Sequence, residues 1–119
     1  MNAVEAALAQ MLGTPGLLGL ALVDAVTGLV YGAAGDGAAV GDGEELARIA
    51  GVVSDALSRA GASGELEDIV VTGASRLHIT RVVPRQGDEL LLCAAVDRQG
   101  TNFALAVREI AQRAEEVMA

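Results

Sequence analysis

Residues 66–96 constrain the fold more than any other stretch of the chain. Three runs, 66–71, 77–83 and 89–96, are rich in Val, Ile and Leu and have the length of strands. Residues 84–88, opening on Pro84, supply a hairpin turn between the second and third. In the second run Leu77 and Ile79 alternate with His78, Thr80 and Val82, so the two sets face opposite sides of a sheet. From Leu90 to Val96 the chain is apolar without alternation, as in a central strand covered on both faces. Helical spacing follows at once, over residues 102–118. Phe103, Val107, Ile110, Ala114, Val117 and Met118 share one face, with Arg108, Gln112, Glu115 and Glu116 toward water. Glu109 and Arg113, four apart, make a favourable pair on that helix.

The first half adds two helices and two strands. Val4, Leu8, Met11 and Leu12 recur at helical spacing over residues 3–12, with Asn2 as cap and Gly13 and Pro15 as the stop. Residues 17–23 form a second all-apolar run, again a central strand, and the turn 24–28 leads to a return strand at 29–33. The Gly- and Ala-rich segment 32–43 reads as a mobile surface loop. Asp42, followed by Glu45, caps a second long helix that runs to about Ala60 and stops at Gly61. Its stripe Leu46, Ile49, Ala50, Val53, Leu57 and Ala60 is expected to lie on the sheet. Val52 and Ala56 fall beside that stripe, near Arg48 and Arg59, where a helix packed only on its own sheet has no use for them. A second contact surface would explain both.

Charge and composition exclude several functions. With 119 residues the chain is expected to be one domain, 1–119, able to bury a core without disulfides or metals. The net charge of −8 opposes nucleic acid or an anionic membrane as partner, since either calls for a basic surface. Cys93 is the single cysteine, so no internal disulfide forms. No basic n-region opens the sequence, and no apolar run reaches the roughly 20 residues that span a bilayer. A soluble, cytoplasmic protein is expected.

No catalytic constellation emerges. The glycines of 32–43 invite comparison with a phosphate-binding loop, but that motif requires a lysine and the chain has none. One histidine and one cysteine cannot furnish a four-ligand zinc site, and Asp36 with Asp42 lacks the terminal glutamate of an EF-hand loop. Cys93 sits inside an apolar strand, where a thiol is inert. His78 is mid-strand rather than on a strand-end loop, which disfavours pairing it with Ser54, Ser58, Ser63 or Ser75 as a nucleophile. No cofactor, metal or catalytic residue is assigned.

Taken in order, these segments resemble the Roadblock/dynein-light-chain family, and most closely its bacterial MglB-type members that act on Ras-like GTPases. The matching residues are Thr14-Pro15-Gly16, Ala21-Leu22-Val23-Asp24, Thr27-Gly28-Leu29-Val30 and Glu45-Leu46-Ala47 in the first half. In the second they are Glu67-Asp68-Ile69-Val70-Val71, Arg76-Leu77-His78-Ile79, Leu90-Leu91-Leu92-Cys93-Ala94-Ala95-Val96 and Thr101-Asn102-Phe103-Ala104-Leu105. The turn after Asp24 is one residue longer than the family's usual form, and Ala104 stands where a glycine is common.

The resemblance implies an α+β fold of order αββαβββα with profilin-like layering. A five-stranded antiparallel sheet would carry one helix on one face and two on the other. It also implies a non-enzymatic homodimer, joined through third strands and second helices, that binds a small Ras-like GTPase and modulates its nucleotide cycle or serves as its scaffold. Val52, Ala56, Ile69 and Val71 are the expected dimer-interface residues, and Arg48, Arg59 and Leu105 the expected partner contacts. A short, apolar third strand would otherwise be an exposed edge, which proteins normally protect. Two alternatives stand beside this reading. Similar layering hosts small ligands in PAS and GAF modules, although a chain with 2% aromatic residues has little to line such a pocket. An enzyme would need His78 to face a cleft beside a carboxylate.

Overall fold

The computed structural model describes residues 2–99 and 101–117. In chain order the elements are α1 (Ala3–Met11), β1 (Leu17–Asp24), β2 (Val30–Gly35), α2 (Gly37–Val40), α3 (Gly43–Arg59), β3 (Asp68–Thr72), β4 (Arg76–Val83), β5 (Leu90–Asp97) and α4 (Phe103–Val117). The strands form one sheet in the order β2-β1-β5-β4-β3, each pair antiparallel. The fold is α+β, as expected. β1 and β5, the two unbroken apolar runs, lie side by side in the interior of the sheet and are buried along nearly their whole length. β2 and β3 are its edges.

Strand alternation sorts the core into two layers. On one face Leu20, Leu22, Leu77, Ile79, Leu92 and Val96 meet Leu8 and Met11 of α1 and Ala106, Ile110, Ala114 and Val117 of α4. On the other, Ala21, Val23, Leu91, Cys93 and Ala95 meet Ala39 and Val40 of α2 and Leu46 and Ala50 of α3. Two long helices thus cover one face, and one long helix with a single short turn covers the other. The second face is paved with small residues, so α2 and α3 approach it closely. At Gly19, opposite Ala95, a Cβ would run into the Asp36 carbonyl oxygen.

Three sequence readings require correction. Residues 32–43 are not a mobile loop: β2 continues to Gly35, and α2 buries Ala39 and Val40 against β1 and β5. Two Asp side chains order this segment. Asp36 accepts from the N–H groups of Ala38 and Ala39, and Asp42 accepts from that of Glu45, so both carboxylates serve as helix caps. In α3 the sheet-facing residues are centred on Ala47 and Ala50, and Ile49 and Ala60 are exposed. In α4, Ala106 takes the buried place expected of Phe103, which is 49% exposed; Met118 lies outside the described residues. Both errors come from ranking residues by hydrophobicity; under α3 the floor of small residues, Ala21, Cys93 and Ala95, favours alanine at the contact.

Candidate functional site

The sheet face under α3 is covered unevenly, and the uneven part is the candidate site. The N-terminus of α3 rests on the β1–β2 turn. A Cβ on Gly43 would meet the Gly28 carbonyl oxygen at 2.5 Å, and one on Gly28, whose φ is +79°, would meet Glu44 Cα at 2.6 Å. Two glycines therefore let helix and turn touch backbone to backbone. From there the helix crosses toward β3, the far edge. Gly51 and Ser54 line a cleft with Leu66, Val82 and Leu91 near the strand ends that carry the two hairpins.

At about 100° per residue, Ile49, Val52, Val53 and Ala56 fall on the opposite flank of α3, facing away from those hairpins. Ile49 is 48% exposed and Val52 64%. Beyond this flank the two edges of the face differ. Over β1 and β5 the floor is roofed by α2, while on the edge strand β3 Val71 and Thr72 are exposed. Ile69 packs at the margin of the α3-side core, so Val71, two residues on, points to the same side; it is 55% exposed. His78 is directly opposite Val71 across β3–β4, opposite Ala95 across β4–β5, and half-buried. Of the four residues expected at an interface, Val52, Ala56 and Val71 are exposed and Ile69 is half-buried, and Ile49 on α3 is exposed as well. The breadth of apolar positions in α3 was the available signal: 46, 49, 50, 52, 53, 56 and 57 span more of the helix than one sheet contact uses.

Arg48 and Arg59 are exposed on the solvent crown of α3, next to Val52 and apart from the sheet. Neither forms an ion pair among the described residues. Leu105 is on another part of the molecule, at the start of α4. It is 54% exposed and rims a cleft of about 230 Å³ with Pro15, Leu17, Val96 and Ile110. The expected partner residues therefore occupy two separate surfaces.

A second cluster, missed in the sequence, ties the hairpin ends together. Asp24 is buried at the end of β1, where its Oδ1 accepts from the N–H groups of Val26 at 2.8 Å and Thr27 at 2.9 Å. Arg85, on the β4–β5 hairpin, reaches its other oxygen at 3.6 Å, donates to the Tyr31 hydroxyl at 3.2 Å and stacks over the Tyr31 ring. The N–H groups of Thr27 and Val26 hold the Asp24 carboxyl below its ordinary value, outweighing the effect of burial. The arrangement pins one hairpin to another.

Cys93 and His78 both lie within strands, on β5 and β4. Burial pushes the Cys93 thiol up to about 12, which keeps it protonated at neutral pH. His78 has Val71 and Ala95 as cross-strand neighbours, with no nucleophile or carboxylate opposite it. Among the described residues no group of three or more His, Cys, Asp or Glu could hold a metal ion, and no helix is long and apolar enough to cross a membrane.

No protein-family model and no curated protein matches the sequence. Solved structures do match its fold. MglB from Myxococcus xanthus superposes with a TM-score of 0.75 at 19% identity, covering 97% of this chain and 84% of that one. A Roadblock/LC7 domain from Streptomyces avermitilis gives 0.75 at 20% identity, covering 96% and 93%. The chain has the Roadblock fold. The gliding protein MglB from Thermus thermophilus agrees, with a TM-score of 0.69 at 18% identity over 98% of this chain and 86% of that one. At these identities the likeness establishes the Roadblock architecture, which the residue pattern from Thr14 to Leu105 had indicated.

Proposed function

We propose that this protein is a non-enzymatic homodimeric regulator or scaffold for a small Ras-like GTPase. The observation that carries the reading is the uncovered apolar surface shared by α3 and the edge strand β3. Ile49, Val52 and Val71 are each about half or more exposed there, beside the unpaired edge of a sheet. An exposed edge strand next to an apolar helix flank is a liability in a monomer. A second copy satisfies both at once: β3 pairs with β3 about a two-fold axis, and the two α3 flanks close over the joint. Self-association also sets two copies of Arg48 and Arg59 along one composite ridge, which a single copy lacks. The Roadblock fold, shared with MglB structures, supports a GTPase as the protein that docks there.

The test has two arms. Light scattering should give twice the chain mass for the wild type and the chain mass for Val52→Arg. Single-turnover GTP hydrolysis by Ras-like GTPases of the source organism should then change in rate, or their capture be seen, with the wild type and not with Val52→Arg. A wild-type protein that stays monomeric at high concentration defeats the dimer. A dimer that neither binds these GTPases in either nucleotide state nor alters their hydrolysis defeats the regulator reading.

A further inference from the structure

We propose that the groove between α3 and the two hairpins takes a short basic segment of a partner protein, which seats one apolar side chain beside Gly51 and lays its cations along the rim. The groove has two parts that share Ala25, Val26 and Gly51. The inner part is a cleft of about 220 Å³ floored by Ala50, Leu66, Val82 and Leu91. The outer part runs along the first turns of α3, past Glu44 and Arg48 to Thr27. All of it lies on the flank of α3 opposite Val52, so a dimer closed over that other flank leaves the groove open.

Two observations mark the waist of the groove as a contact. Gly51 is in the middle of α3, where glycine weakens a helix relative to alanine. A Cβ there would meet nothing within 4 Å, so no packing inside the chain calls for a glycine. Val26, which lines both parts with it, is 71% exposed. Bare helix backbone beside an exposed valine leaves a slot where a side chain from outside can touch both.

Charge selects the occupant. Asp42, Glu44, Glu45 and Glu89 line the groove against the one base Arg48. The Asp42 carboxylate is used by the Glu45 N–H, but Glu44, Glu45 and Glu89 are exposed and enter no ion pair among the described residues. Asp55, one turn beyond Gly51 on the same flank, adds a further carboxylate. Glu44 and Glu45 also offset the positive end of the α3 dipole. Arg85 on the β4–β5 hairpin is already engaged by Asp24 and the Tyr31 hydroxyl. An apolar floor under a negative rim fits a segment with one Leu- or Met-like anchor and Lys or Arg beside it. A second copy does not fit, since it brings the same charge of −8 and no two of its arginines are closer than four residues apart in sequence. Glu44 and Gly51 are about 10 Å apart along the helix axis, a span that an extended segment covers in about three residues.

The probes are capped hexapeptides with one leucine at an end and lysines over the rest, in both chain directions, titrated into isotope-labelled protein at about 50 mM salt. At least one should bind with a Kd of about 1 mM or below and shift the amide resonances of Val26, Gly51 and Ser54. Replacing its leucine by glycine should weaken binding about tenfold. Gly51→Leu fills the slot with its own side chain and improves the helix, so it should keep the wild-type Tm or exceed it while binding about tenfold more weakly. Glu44→Gln combined with Glu89→Gln should weaken binding about fivefold. A glycine peptide that binds as tightly as its leucine parent shows attraction by net charge alone and overturns the proposal. No shift at these amides up to about 5 mM peptide overturns it, as does a Kd that neither set of substitutions changes. Shifts at the same amides on diluting the protein alone would make a second copy the occupant and overturn it as well.

Discussion

Replacing Val52 by alanine separates an interface residue from a core residue, because the two roles differ in what they do to the single copy. The substitution removes two methyl groups, each worth about 0.8 kcal/mol when fully buried. In the single copy Val52 is 64% exposed, so the folded monomer loses only the smaller part of that stabilisation. The loss is about 0.5 kcal/mol, and the higher helix propensity of alanine offsets a similar amount. Thermal stability of the monomer should therefore be nearly unchanged. The larger part, about 1 kcal/mol per copy, is realised only when a second copy covers the site. Over two copies that is about 2 kcal/mol, or roughly a 30-fold weaker Kd. Sedimentation over a dilution series measures the second quantity, and differential scanning calorimetry below the dimer Kd measures the first. A Kd within about threefold of wild type would refute the placement of Val52 at the interface. A drop in monomer Tm of more than about 5 °C would refute its exposure.

Three further outcomes follow from the packing. Gly43→Ala drives a methyl into the Gly28 carbonyl and the Val30 side chain, and should destabilise the protein by about 1–3 kcal/mol in urea despite the better helix former; an unchanged midpoint would show that α3 does not rest on the turn. Asp24 carries a folded-state value below its ordinary one of about 3.9, so its contribution is present above about pH 4 and lost as pH falls through the folded-state value. Asp24→Asn, with no charge to lose, should show a flatter decline of stability below about pH 4 than wild type, and equal slopes would refute the assignment. Cys93, with its thiol pushed up to about 12, should react with a thiol reagent at neutral pH only as fast as the protein opens. Labelling at the rate of a free thiol in native buffer would contradict its burial.

The strand pattern by itself determined the sheet. Two unbroken apolar runs, Leu17 to Val23 and Leu90 to Val96, could only be interior strands, and β1 and β5 are neighbours in the middle of the sheet. Asn2 and Asp42 marked helix starts correctly, because a cap is a contact three residues long and wholly local. The exposed side of α3 was half legible: Val52 and Ala56 stood out as apolar positions with no sheet to cover, and both are exposed. Ile49 did not stand out, because its side chain suits a sheet-facing stripe equally well.

What assigned Ile49 to the open flank was the smallness of the floor beneath α3. Ala21, Cys93 and Ala95 draw the helix down on Ala47 and Ala50 and turn its larger residues aside. On the same floor α2 buries Ala39 and Val40, whose segment read alone as loop, and on the opposite face α4 buries Ala106 while Phe103 is exposed. The Arg85–Asp24–Tyr31 clasp joins residues far apart in sequence whose nearness depends on strand order. Periodicity and capping are properties of a few consecutive residues, so the sequence carries them. The depth at which a helix sits on a sheet depends on the side chains of both surfaces together, and only the assembled fold brings those surfaces face to face.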